Sequence, residues 1–256
     1  EIGASKTETI SKRETETLTI SHSLMTSAIK DASRKATVEV VMENGDADVH
    51  RIVMPGSTIS ELAKKDIILA IRTGDVSYSV PMSALNIGSH LKSLDSSATL
   101  SNTDVSIEIT KASDSVHSRI QSAGVTKGFT VISTPVEFDI KLTKGKNSTY
   151  VKEFGGYLER RIEATGDFES GMVSTVICYE DNGTIRHIPT KKVTEDGKTY
   201  IVFKSRTNST YAMIYAQNSF ADTQYHWAAP VITDMANRKI LSGVNEATFN
   251  PDNFIT

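Results

Sequence analysis

Residues 135–150, PVEFDIKLTKGKNSTY, decide how this chain is read. Val136, Phe138, Ile140 and Leu142 alternate with Glu137, Asp139, Lys141 and Thr143, the period of two that gives a β-strand one buried and one wet face. Lys144-Gly145-Lys146-Asn147 then turns the chain. Downstream the texture continues. Val151 and Phe154 lead into Gly155-Gly156, where a bulge is expected, and Tyr157 to Ile162 and Val173 to Glu180 carry the pattern on. Asn182-Gly183 and Asp196-Gly197 accept the positive φ angles of tight hairpins. YAMIYA, residues 211–216, reads as the last strand. Short strands separated by turn signals predict a β-rich, sandwich-like domain over residues 134–218.

Upstream, helices enter. Leu18 to Ile20 reads as a short strand, and Leu24, Ala28 and Ile29 then fall at helical spacing, with Lys30, Arg34 and Lys35 toward the C-terminal end. Val38, Val40 and Met42 share a strand face, and Asn44-Gly45 predicts an antiparallel hairpin with Val49 to Met54. Pro55-Gly56 breaks the strand, and Ser57 or Thr58 is placed to cap a helix through SELAKKD. Ile67 to Arg72 and Val76 to Met82 form the clearest hairpin, turning at Thr73-Gly74-Asp75. Residues 83–101 read as loop with a little helix. Val105, Ile107 and Ile109 read as strand, and Ser113 to Ala123 as a helix closed by Gly124.

Strands and short helices without regular βαβ alternation predict an α+β domain over residues 15–133. Residues 1–14 are polar and without apolar period, and read as a linker or frayed N-terminus. The fold class is α+β and mainly β.

Composition narrows the function classes. Over 256 residues the formal net charge is -3, and Lys and Arg are interspersed with acids, which argues against a nucleic-acid partner. No run of about 18 apolar residues predicts membrane insertion. The single cysteine, Cys178, excludes an intrachain disulfide and sits in TVICYE as a buried strand position. No charged region followed by an apolar run opens the chain, so either a leader has been removed or this is a piece of a longer protein.

Candidate chemistry is sparse. The six histidines, His22, His50, His90, His117, His187 and His226, are scattered without HExxH or cysteine partners, so no zinc site is expected. Asp46, Asp48 and His50 fall two apart on one strand face, a weak arrangement for a divalent cation; a solvated hairpin edge is the preferred reading. No G-x-S-x-G, P-loop or dinucleotide fingerprint occurs. Glu159, Glu163 and Asp167 are the candidates for a carboxylate pair, against solvated acids around a turn. Asn147, Asn182 and Asn208 each begin N-x-[ST], and no glycan is assigned. No cofactor is expected.

The last stretch, residues 220–256, FADTQYHWAAPVITDMANRKILSGVNEATFNPDNFIT, carries the only tryptophan, Trp227. Ala228, Val231, Ile232 and Met235 form one apolar stripe at helical spacing, with Pro230 tolerated in the first turn. Asp222 is placed to bond the free amides of the helix start, Arg238 and Lys239 suit the helix C-terminus, and Gly243 is the expected left-handed residue that ends it.

Phe220, Asp222, His226-Trp227-Ala228, Ile240 with Ser242-Gly243, Phe249, Pro251 and Ile255-Thr256 together resemble the surface-layer homology (SLH) domain, the cell-wall anchoring module of bacterial surface proteins. The resemblance implies that Trp227, Ser242 and Gly243 belong to the groove that takes wall polymer. It implies that Phe220, Asp222, His226, Phe249, Pro251 and Thr256 form the structural signature. In the family the pattern continues as Thr-Arg-Ala-Glu, whose Thr caps the next helix. This sequence stops at Thr256, so residues 219–256 read as a truncated SLH motif. PVEFDIKLT, GTIRHIPTKKV and TNSTYAMIY are similar to the region that precedes such repeats in surface proteins of Gram-positive bacteria.

The resemblance implies a secreted, non-catalytic structural module of an S-layer-type protein at the cell wall or cell surface. Its partner is the secondary cell-wall polymer, held through complete SLH repeats of the parent protein, with self-association left open. The alternative is a carbohydrate-binding or accessory module of an SLH-anchored polysaccharide-degrading enzyme, with Tyr157, Tyr179 or Tyr200 on the ligand face. The apolar helix stripe is expected to dock on the β domain or another copy, or to be poorly ordered.

Overall fold

The computed structural model describes residues 2–164, 172–180 and 182–253. It is a mainly β fold with some helices, 43% strand against 23% helix, so sheets rather than a helix bundle supply the frame. The first strands are β1 (Gly3–Ile10), β2 (Arg13–Ile20), β3 (Thr37–Val41), β4 (Val49–Pro55), β5 (Ile68–Arg72), β6 (Val76–Pro81) and β7 (Asp104–Lys111). Among them stand the helices α1 (His22–Ala28), α2 (Gly56–Lys64) and α3 (Gly88–Leu94). Next come α4 (Asp114–Lys127), β8 (Thr130–Val131), β9 (Val136–Lys144), β10 (Asn147–Tyr150) and β11 (Glu153–Glu163). The chain closes with β12 (Thr175–Tyr179), β13 (Ile185–Ile188), β14 (Thr190–Glu195), β15 (Lys198–Thr207), β16 (Thr210–Tyr215) and α5 (Ala229–Asn237). No described helix is long and apolar enough to cross a membrane.

Two compact units form, each from separated segments: residues 1–111, 136–163 and 202–209 in one, and 112–135, 164–201 and 210–256 in the other. Boundaries read as consecutive segments, 15–133 and 134–218, cut across both. Alternation marks a strand but says nothing of its partner, and here β9 belongs with β7, which precedes α4 in sequence.

In the first unit β1, β2, β4, β7 and β9 lie in that order in one sheet, with β10 on β9; β3, β5, β6 and β11 share the other. Val136, Phe138, Ile140 and Leu142 are buried, as their alternation predicts, and so are Val105, Ile107 and Ile109 opposite them. Among the largest fully buried side chains is Arg160. Its guanidinium is fully buried, stacked against the Tyr78 and Phe138 rings at 4.9 and 5.1 Å, and donates to Leu158 O, Thr207 O and Asn208 Oδ1. Tyr78 donates its hydroxyl to the same Asn208 Oδ1, so one amide oxygen holds side chains from the neighbouring strands β6 and β11.

Several expectations change here. The polar N-terminus is no linker: β1 and β2 pair antiparallel from Gly3↔Ile20 to Ile10↔Arg13, turning at Ser11-Lys12, both at positive φ. Asn44-Gly45 makes no hairpin. β3 pairs parallel with β5 and β4 pairs parallel with β2, and the positive-φ positions of the described chain do not include Gly45. Met25 in α1 and Ile29 just past its end are buried, with Leu24 exposed. Neither Ser57 nor Thr58 caps α2, which already begins at Gly56 after Pro55. Gly124 lies inside α4, and Gly128 at φ +66° ends it.

In the second unit β16 pairs antiparallel with both β8 and β12, and β12 with β13. The Asn182-Gly183 hairpin forms as predicted, Gly183 standing at φ +83°. Asp196 and Gly197 are likewise at positive φ between β14 and β15. Ile120 and Phe129 pack on Ile177, Tyr179, Ala212, Ile214 and Ala216, which seats α4 on the sheet.

Candidate functional site

The C-terminal segment is built on a loop that closes on itself. A turn of 3₁₀ helix, Ala221–Thr223, follows Phe220, with Thr223 donating its N–H and its hydroxyl back to Phe220 O. Asp222 accepts from the Phe249 N–H at 3.0 Å and the Asn250 N–H at 2.6 Å. These bonds, Phe249 first, hold its carboxyl below the usual value. Asp222 therefore ties the far end of the loop, not the start of α5. The same fold-back sets the Phe220 and Phe249 rings 5.4 Å apart.

Gly243 belongs to this closure. A Cβ there would meet Asn245 O and Thr248 O at 2.5 Å and the Phe220 ring at 2.6 Å, so only glycine fits. It does not end the helix. Lys239 does, at φ +60°, with its N–H on Ala236 O and the Ile240 N–H on Met235 O, the Schellman pattern with lysine in the left-handed position.

His226 pins the start of α5. The Ala228 N–H donates to His226 Nδ1 at 3.2 Å, leaving Nε2 to face Asp252 Oδ1 at 3.4 Å. Pro230 stands in the first turn as expected. The buried residues of α5 are Ile232 and Ala236, packed with Phe220, and the partly buried Ala228 and Phe249 pack against them. Val231 and Met235 lie in the next row and are exposed. Helix spacing identified the stripe but placed its centre one residue off, because Ala236 was outside it.

Trp227 is 88% exposed and Tyr225 95%, so neither is a core aromatic. Ser242 is exposed as well. Phe220, Asp222, Gly243 and Phe249 thus converge inside the segment, while Trp227 and Ser242 face solvent. Pro251 follows Asn250, which takes φ +66° at the end of the loop. Phe254, Ile255 and Thr256 lie outside the described residues.

The segment is fastened to α4 by contacts that the sequence did not reveal. Lys239 Nζ donates to Lys127 O at 2.9 Å and Gly128 O at 2.8 Å, the free carbonyls at the α4 C-terminus, where a cation also suits the helix dipole. Burial pushes the Lys239 ammonium below its usual value. Asn218 donates its N–H to Asn237 Oδ1 at 2.6 Å and its amide to Ala236 O at 3.1 Å. Lys239 was read as serving its own helix; it serves another.

The remaining candidates resolve into structural roles. His50 is buried on β4, between β2 and β7, which corrects the reading of a solvated edge. Its Nε2 is 2.7 Å from Asn44 O, and Glu16 nearby accepts from the Glu43 and Asn44 N–H groups. Asp48 accepts from the Glu14 N–H. Among the described residues no group of three or more His, Cys, Asp or Glu is arranged to hold a metal ion. Glu159 pairs with Arg161 and Lys204, and Asp167 lies outside the described residues. Asn147 donates its amide to Asp95, while Asn182 accepts from the Thr184 N–H and Asn208 from Arg160 through their Oδ1 atoms. Of the three tyrosines, Tyr179 is buried, Tyr200 half-buried and Tyr157 exposed.

Residues 219–256 match the family model of the S-layer homology domain. The match falls at the C-terminal end, preceded by the β-rich region. No curated protein matches the chain. S-layer homology domains in general bind cell-wall secondary polymers, and the match indicates association with the cell surface or cell wall.

Proposed function

We propose that this chain is a non-catalytic structural module of a secreted, S-layer-type surface protein of a Gram-positive bacterium, tethered to secondary cell-wall polymer through S-layer homology repeats. The observation that carries it is the match over residues 219–256. The exposed Trp227 and Ser242 support a polymer-facing side for the segment, since aromatic rings left in water are the usual platform for sugar rings. The closed-in Gly243 keeps the turn after Ser242 in shape and is a positioning residue here.

Fractionation of the cells that make the protein tests this reading. An antibody to the chain should label intact cells, and chemical stripping of secondary polymer should release the labelled protein from the wall. Recovery in the cytoplasm, or retention by stripped walls, would sink it. The carbohydrate-binding alternative keeps one exposed ring of its three, Tyr157. It predicts glycan-array binding that Tyr157→Ala abolishes.

A further inference from the structure

We propose that the free edge of β1 is a self-association surface, on which a second copy of this chain pairs antiparallel through its own β1 about a two-fold axis at Thr7. β1 begins the sheet order, and β2 is its only partner among the described strands. The strand is eight residues long, without proline, and Ala4 to Thr7 are exposed. Such an edge offers a row of backbone donors and acceptors to another strand.

Hydrogen-bond parity fixes which residues face outward. Ser21 donates its N–H to Ile2 O, and the two-residue turn at Ser11-Lys12 makes Ile10 and Arg13 a bonded pair. Bonded positions recur every second residue along an antiparallel ladder. Ala4, Lys6, Glu8 and Ile10 therefore direct their backbone groups to β2, and Gly3, Ser5, Thr7 and Thr9 direct theirs to the edge.

Charge then selects one symmetric register. With the axis at Thr7, Thr7 meets Thr7 in a bonded pair and Ser5 meets Thr9. Lys6 then meets Glu8 of the second copy at a non-bonded site, where side chains come closest, and symmetry makes that contact twice. Moving the axis to Lys6 sets lysine against lysine, and moving it to Glu8 sets glutamate against glutamate. Lys6 and Glu8 already bond each other along β1, so pairing exchanges two contacts within the strands, one per copy, for two across them, and the charges set the register while the backbone ladder supplies the attraction. A single strand pair covers less than the roughly 1,200–2,000 Å² of a stable interface, so association in free solution is weak. Crowding of tethered copies on a surface would raise the effective concentration. Only that last step rests on the wall-anchoring reading.

Sedimentation equilibrium of the full chain over rising concentration, paired with hydrogen exchange, tests the proposal. Dimer should grow with concentration, and the Ser5, Thr7 and Thr9 amides should gain protection while those of Lys6 and Glu8 stay protected throughout. Lys6→Glu or Glu8→Lys alone should weaken association about tenfold, from two cross-strand pairs turned repulsive. The double swap should restore it. Thr7→Pro removes only an outward N–H and should abolish the dimer with the monomer's circular dichroism unchanged. A chain that stays monomeric at its highest soluble concentration, or a dimer indifferent to these charges, would overturn the proposal. Neither result bears on wall attachment, which the cell fractionation decides.

Discussion

Arg160 and Ile232 are both buried, but in neighbourhoods of opposite kind. Arg160 lies in a unit where Tyr78, Phe138, Asn208 and long strands surround it, so a guanidinium can be held dry by carbonyls and two ring faces. Among the described residues, Ile232 lies in a cluster with Phe220 and Ala236 buried beside it and Ala228 and Phe249 partly covered. A core that small contributes little by itself, since full burial of one aliphatic side chain stabilises by about 1.5–3 kcal/mol. The C-terminal segment is instead ordered by polar ties: Asp222 on the loop end, Asn218 on Asn237, Lys239 on α4. Among the described residues, a deep core holds a charge dry in the first region, while backbone and side-chain hydrogen bonds order the second.

Breaking the first region should give the largest effect. Arg160→Ala removes one donor each from Leu158 O, Thr207 O and Asn208 Oδ1 and opens a cavity beside two rings, with an expected loss of about 3–5 kcal/mol in urea unfolding. A loss under about 1 kcal/mol would mean that water replaces the guanidinium freely. Next, Ile232→Ala should cost about 2–4 kcal/mol, read as lost hydrogen-exchange protection in α5 while β7 and β9 stay protected. Equal loss in both regions would erase the contrast drawn above.

Gly243→Ala should cost about 1–3 kcal/mol by forcing its methyl onto two carbonyl oxygens and the Phe220 ring. Protease cleavage within residues 240–250 should rise, and unchanged resistance would show that the loop relaxes. The smallest effect belongs to Asp222. Its folded pKa lies below the ordinary 3.8, so its ties are present above that value and are lost as pH falls through the folded value. Amide protection at Phe249 and Asn250 should therefore fade below about pH 4, and Asp222→Asn should remove that pH dependence.

Much of the β content was legible because apolar alternation and glycine turns are local signals. Phe138 and Ile140 declared themselves, as did Gly183 and Gly197. What the sequence concealed was of two kinds. β1 and β2 use Thr and Glu where apolar residues would have shown the period, and their turn uses Ser11 and Lys12 where glycine would have marked it. Asn44-Gly45 shows the opposite failure, a strong turn signal at a place where the chain passes between strands of different sheets. In the candidate site the jobs of the residues named from the sequence were not legible. Asp222 bonds a loop 27 residues ahead, and Lys239 caps a helix that ended more than a hundred residues earlier. Distances of that kind are set by tertiary closure and leave no trace in periodicity.

Lys239 and Asn218 fasten the C-terminal segment at two separate points, one on the end of α4 and one on the strand-leaving chain just before Phe220. A segment held at one point swivels under load. Held at two, it passes torque as well as tension into the body it is attached to, so a module pulled by its tail would be turned with the tail and not merely trail behind it.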